Sequence, residues 1–202
     1  MAFSERSRHS VTRSRGVAMT RSLARHIVLI GMMGAGKSAL GAELARRLRV
    51  PFTDSDTEIE TAAAMSIAEI FARDGEPFFR ARETEVLRRL LAGPPAVIST
   101  GGGAFVQAQN RELIGRAAIS VWLDCDLELL WQRVRQRSTR PLLKTADPKA
   151  TLAALLAERA PVYAQAELHF EGRAGDSIEA ATTRLLTALR AADPQLIQEN
   201  AR

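Results

Sequence analysis

An eight-residue run, Gly31-Met32-Met33-Gly34-Ala35-Gly36-Lys37-Ser38, limits this chain more than any other stretch. It fits G-x-x-x-x-G-K-[ST], the pattern of a loop whose backbone N–H groups cradle nucleotide phosphates. Glycine lets the backbone approach a phosphate closely and reach φ > 0 without strain. In such a loop Lys37 reaches the β- and γ-phosphates and the Ser38 hydroxyl ligates Mg²⁺. The flanks agree with the motif. His26-Ile27-Val28-Leu29-Ile30 is a short apolar run suited to a buried parallel strand, and Leu40, Leu44 and Leu48 recur on one helical face. Strand, glycine loop and helix follow in the required order, and the helix adds its positive end to the anion site.

With 202 residues and 46% hydrophobic content, the chain suffices for one domain with a substantial core. No apolar run approaches the roughly 18–20 residues of a membrane span, so a soluble protein without membrane contact is expected, and its single cysteine is compatible with the reducing cytoplasm. Cys125 is the only cysteine, which excludes an intrachain disulfide and a thiolate zinc cluster. The net charge of +5 suggests a polyanion partner until it is located. Residues 1–25 carry six arginines against one glutamate, leaving 22 basic and 22 acidic residues in the rest. The body is balanced and is not expected to bind nucleic acid. The Arg- and Ser-rich arm reads as a disordered extension or a start-site artefact, with targeting and polyanion contact as the other readings. Residues 191–202 read as a loose tail.

Between these ends the pattern alternates strand and helix. Val50 to Asp56 starts apolar and ends in Asp54 and Asp56, placing both acids at the carboxyl end of a strand, where ligands of open α/β sheets bind. Two residues apart, they point the same way if the chain is extended. The competing reading makes Ser55 or Asp56 a helix cap, and spacing alone does not separate the two. Residues 56–92 are helical in pattern, with breaks near Ala64–Ser66 and Asp74-Gly75, and suggest a substrate-binding insertion. Arg80 and Arg82 lie there among acids, Arg82 as part of a solvated face. Ala96 to Thr100 is a third strand, followed by Gly101-Gly102-Gly103, a second place where backbone N–H groups can meet a ligand. Further strands are expected at 119–124 and 168–170, with helices over 107–116, after 126 and over 176–190. The basic stretch from Arg133 to Lys144 suits a lid that brings charge to a transferring group and excludes water.

Taken in order, GMMGAGKS, DSD, FFRARE, STGGGA, RPLL and ERAPVY resemble the shikimate kinase family over roughly residues 26–190. The resemblance implies a three-layer α/β/α fold of P-loop kinase type. It has a central five-stranded parallel sheet, a helical substrate-binding insertion (about 56–92) and a mobile lid (about 136–149). It implies ATP and shikimate as partners, Mg²⁺ as cofactor and a monomer. ATP falls to Gly34, Ala35, Gly36, Lys37, Ser38, Ala39 and the lid's Arg140, with Arg133 and Arg173 as weaker candidates. Shikimate falls to Asp56, Arg80, Gly102, Gly103 and Arg159. Mg²⁺ falls to Ser38 directly and to Asp54 through water. Lys37, Asp56 and Arg140 are the catalytic set. The activity implied is transfer of the γ-phosphoryl group of ATP to the 3-hydroxyl of shikimate. The alternatives are another small-molecule P-loop kinase, gluconate-kinase-like, and a nucleotide-binding regulator without catalysis.

Physical chemistry accords with these roles. Arginine grips a carboxylate bidentately, and an acceptor-only carboxylate orients vicinal hydroxyls. The loose transition state of phosphoryl transfer leaves positioning and charge stabilisation as the protein's work. Neighbouring arginines lower a carboxylate's pKa, so Asp56 is expected to orient the attacking hydroxyl and take its proton late. One departure from the family is visible: Ala39 stands where many relatives have threonine.

Overall fold

A computed structural model describes residues 20–135 and 145–200. Its centre is a five-stranded, all-parallel sheet of β2 (His26–Ile30), β3 (Phe52–Asp54), β4 (Val97–Ser99), β5 (Ala118–Asp124) and β6 (Leu168–Glu171), in the order β3-β4-β2-β5-β6. Every residue of β2 is buried, as a strand covered on both faces requires. Helices flank the sheet: α1 (Lys37–Leu48), α2 (Ser55–Ala63), α3 (Ile67–Leu91), α4 (Ala108–Ala117), α5 (Leu127–Val134), α6 (Pro148–Tyr163) and α7 (Ile178–Ala192). The chain leaves β2 for β3 on one side and later crosses to β5 on the other. The loop after β2 therefore sits at the switch point, where ligands of such sheets bind.

The insertion at 56–92 has its own small core of Ile59, Ile70, Phe79 and Val86, separate from the main cluster under the sheet. Its two breaks fall where expected. Ala64 ends α2 at φ 50°, and Ser66 opens α3 with a capping box to Glu69. Gly75, at φ 80° and ψ 173°, interrupts α3 just before Pro77.

The ends differ from expectation. Thr20–Leu23 (β1) pairs antiparallel with Ile197–Asn200 (β7), so residues expected in a disordered arm and a loose tail close onto each other. Leu196 and Leu23 are buried there, and Arg25 donates to Glu167 at 2.9 Å and to Asp193 at 3.3 Å. One or two apolar residues per strand leave too short a pattern to read in advance. No helix among the described residues is long and apolar enough to cross a membrane.

Candidate active site

The phosphate loop joins β2 to α1 with Gly34 at φ 85° and Gly36 at φ 94°. A Cβ on Gly34 would also lie 2.8 Å from Val134 Cγ1, so the position tolerates only glycine. Gly36 caps α1 without a side chain, leaving the first helical N–H groups directed at the cavity. Lys37 is buried, and its ammonium donates to the Gly31 and Met32 carbonyls at 2.8 and 3.0 Å. The loop's own backbone thus supplies the acceptors for this cation.

Ser38 Oγ donates to Asp54 Oδ2 at 2.6 Å, and the other Asp54 oxygen accepts the Asp56 N–H at 3.0 Å. Asp54 is therefore the N-cap of α2, and Asp56 already lies inside that helix. The extended geometry expected for this pair is corrected, as is the choice of Ser55 or Asp56 as cap. The carboxyl end of β3 turns directly into a helix, so both acids reach one site by different routes. A hydroxyl and a carboxylate in contact suit Mg²⁺, which takes few protein oxygens and fills its shell from phosphates and water. No cluster of three or more His, Cys, Asp or Glu among the described residues could hold a metal by itself. The residues present thus fit a Mg²⁺ that arrives with a nucleotide.

The glycine triplet after β4 brings the second set together. A Cβ on Gly101 would sit 2.7 Å from Asp56 Oδ1, and one on Gly103 would fall onto the Arg80 guanidinium. Arg80 Nη1 donates to Glu83 Oε2 at 2.9 Å, while its Nη2 and Nε donate to Glu76 at 2.9 and 3.1 Å. Arg159 is buried, with Nη1 beside Gly102, and its Nε has no hydrogen-bond partner among the described residues. A buried guanidinium with an unmet donor is costly unless an acceptor arrives, which suits an anionic ligand.

Three residues that sequence reasoning left aside support this wall. Glu83 is 1% exposed, and Gln107 Nε2 also donates to its Oε2, at 3.0 Å. Burial pushes its carboxyl above the ordinary range, with Arg80 pulling the other way. Tyr163, fully buried, donates its hydroxyl to the Gly102 carbonyl, and burial raises its pKa while Arg159 opposes. The spacing of Glu83 from Arg80 was visible in FFRARE, but it is equally that of a solvated helix face.

A cavity of about 680 Å³ runs from the phosphate loop past Ser38, Asp54 and Asp56 to Gly101 and Gly102, and in another direction to Gly172–Ile178. Arg159 adjoins it at Gly102, and Arg80 meets the next residue, Gly103. Gly34, Ala35, Gly36, Lys37, Ser38 and Ala39 all line it. Arg133, in the last turn of α5, donates to the Gly34 and Ala35 carbonyls at 3.3 Å, and Arg173 lines the far end. Arg140 and most of the expected lid, residues 136–144, lie outside the described residues. The lid's expected last residues, Pro148 and Lys149, open α6 behind an Asp147 cap.

Known proteins with similar sequences and folds identify the family. The shikimate kinase family profile matches residues 33–190. The chain is 55% identical over 177 residues to a shikimate kinase of Cereibacter sphaeroides, covering 88% of each chain. It is 56% identical over 168 residues to one of Ruegeria pomeroyi, covering 83% of this chain and 86% of the relative. Among solved structures, a shikimate kinase from Acinetobacter baumannii in complex with shikimate superposes with a TM-score of 0.78 at 40% identity, over 83% of this chain and 94% of that one.

Proposed function

The chain belongs to the shikimate kinase family, and on that premise we propose that it transfers the γ-phosphoryl group of ATP to the 3-hydroxyl of shikimate. The products are shikimate 3-phosphate and ADP, on the route to chorismate and aromatic amino acids. The convergence of Arg80 and Arg159 on the Gly102–Gly103 backbone, beside Asp56 and a cavity that the phosphate loop lines, carries the reading of the acceptor site.

In this reading the two guanidiniums hold the acceptor's carboxylate and Asp56 accepts from its ring hydroxyls. The acceptor's O3 forms a bond to the γ-phosphorus as the bond from that phosphorus to the departing ADP oxygen breaks. The O3 proton passes to Asp56 late, because a loose transition state leaves the nucleophile protonated until bond formation is advanced. Lys37 turns from the loop carbonyls toward the β- and γ-phosphate oxygens. Arg140 supplies the lid's charge, Arg133 steadies the phosphate loop, and Arg173 faces the nucleoside end. Ser38 and Asp54 would hold the Mg²⁺ that accompanies ATP, which would supply charge neutralisation at the phosphates. The protein works as a cytoplasmic monomer without membrane contact or nucleic-acid binding through its charge-balanced body. Any polyanion contact belongs to residues 1–25.

Phosphorus NMR of protein incubated with ATP, Mg²⁺ and shikimate tests the reading. The expected product is a phosphomonoester coupled to the single proton on C3. A phosphorus signal coupled to another ring proton, or no ester at all, overturns it.

A further inference from the structure

Resting on the phosphoryl-transfer reading above, we infer that Arg184 is a positioning residue for the nucleoside end of the donor, acting through the segment between β6 and α7. The phosphates belong at Gly34–Ser38, so the nucleoside lies at the far end of the same cavity, which Gly172, Arg173, Asp176 and Ile178 line. Little packing holds that wall. Arg173, Ala174 and Gly175 are exposed, and the turn they make depends on Gly175 at φ 85° and a long Asp176 N–H to Arg173 carbonyl contact of 3.5 Å. At its near end Gly172 N–H donates to the Asp124 carbonyl at 2.6 Å.

Arg184 ties the rest. Its Nε and Nη2 donate to Asp176 Oδ2 at 3.1 and 2.5 Å, and Nη2 also donates to the Glu171 carbonyl at 3.1 Å. Its guanidinium lies 4.7 Å from the Phe170 ring centroid, and Phe170 is itself a wall of the cavity. One side chain thus joins the end of β6, the end of the loop and a wall aromatic. Helical side chains lean toward the helix N-terminus, so Arg184 in the second turn of α7 reaches back beneath the loop. The planar fork and the stacked face both require arginine, and a lysine supplies charge alone.

The test is direct binding of ATP and of inorganic tripolyphosphate to the full-length protein and to Arg184→Met and Arg184→Lys, with melting temperatures recorded alongside. Arg184→Met is expected to weaken ATP about tenfold and Arg184→Lys about threefold, as befits lost charge-assisted hydrogen bonds. Tripolyphosphate, which has no nucleoside, should change less than about twofold, since the phosphate loop is untouched. Combining Arg184→Met with Asp176→Asn should weaken ATP no further than Arg184→Met alone, because both act through one contact. Equal losses for ATP and tripolyphosphate, or unchanged ATP binding in both variants, overturn the inference. If Arg184→Met melts too low to assay, Arg184→Lys carries the same comparison. Failure of the underlying kinase reading looks different: the unaltered protein would bind ATP without turning over shikimate, leaving these affinities measurable.

Discussion

Arg80 and Glu83, one turn apart on α3, form an ion pair at 2.9 Å in which the arginine side chain is 20% exposed and the carboxylate 1%. The acid faces inward and the guanidinium reaches the Gly103 backbone. Glu83 thereby fixes Arg80 from behind, and in the proposed acceptor site the incoming carboxylate would meet a guanidinium already in place. Charge-assisted hydrogen bonds of this kind contribute about 1.5–3 kcal/mol. Glu83→Gln should raise KM for shikimate by about tenfold or more, with KM for ATP within about twofold. Steady-state kinetics with each substrate varied in turn decides it.

The same burial gives a pH signature. Glu83's carboxyl lies above its ordinary value of 4.5, chiefly through burial. In the window from 4.5 up to that raised value the folded protein holds more protons than the unfolded chain. Glu83's contribution to stability therefore falls as pH rises through the window. Glu83→Gln carries no such proton. Its melting temperature should decline less, or rise more, than that of the unaltered protein as pH increases over the same range. Parallel melting curves for the two proteins would remove the buried carboxyl as the cause.

Ala39 follows Ser38 at the start of α1, exposed on the cavity wall. A hydroxyl there gains one hydrogen bond to a nucleotide phosphate, which at this exposed position is worth about 0.5–1.5 kcal/mol. Ala39→Thr should tighten ATP about two- to tenfold, read by calorimetry, while leaving KM for shikimate unchanged.

Asp56 is expected to carry more than binding. General-base groups contribute about 10²- to 10⁴-fold, so Asp56→Asn should lower kcat by at least about 10²-fold in rapid-quench measurements. A variant that keeps most of its kcat and only binds shikimate more weakly would leave Asp56 without a catalytic role.

Much of this site was legible in advance because its chemistry is carried by short, ordered motifs. The glycines around Lys37 and Ser38 sit in a strand–loop–helix context that hydrophobic periodicity reveals unaided. Asp54 does end a strand, as the sequence suggests, whereas Asp56 lies in the first turn of the helix that follows. Their orientation was not readable, because it depends on where β3 gives way to α2, and boundaries are the least certain part of a pattern. Glu83 was hidden for a different reason: an i, i+3 pairing with arginine looks the same whether it faces water or the core. Tyr163 and Arg184 act through contacts across 61 and 8 residues of chain, which spacing does not encode. The β1–β7 pairing was not legible because Leu23 and Ile197, 174 positions apart, are brought into register only in the folded protein.

The central claim, that this chain phosphorylates shikimate through an arginine-lined acceptor site, is tested most directly by coupled ADP release with ATP, Mg²⁺ and one acceptor at a time. Shikimate, gluconate and nucleoside monophosphates would each be supplied to the unaltered protein. The expected result is ADP release dependent on shikimate alone, saturating with shikimate concentration. Release driven by gluconate or a nucleotide in preference to shikimate, or ATP binding without any acceptor-dependent release, would contradict it.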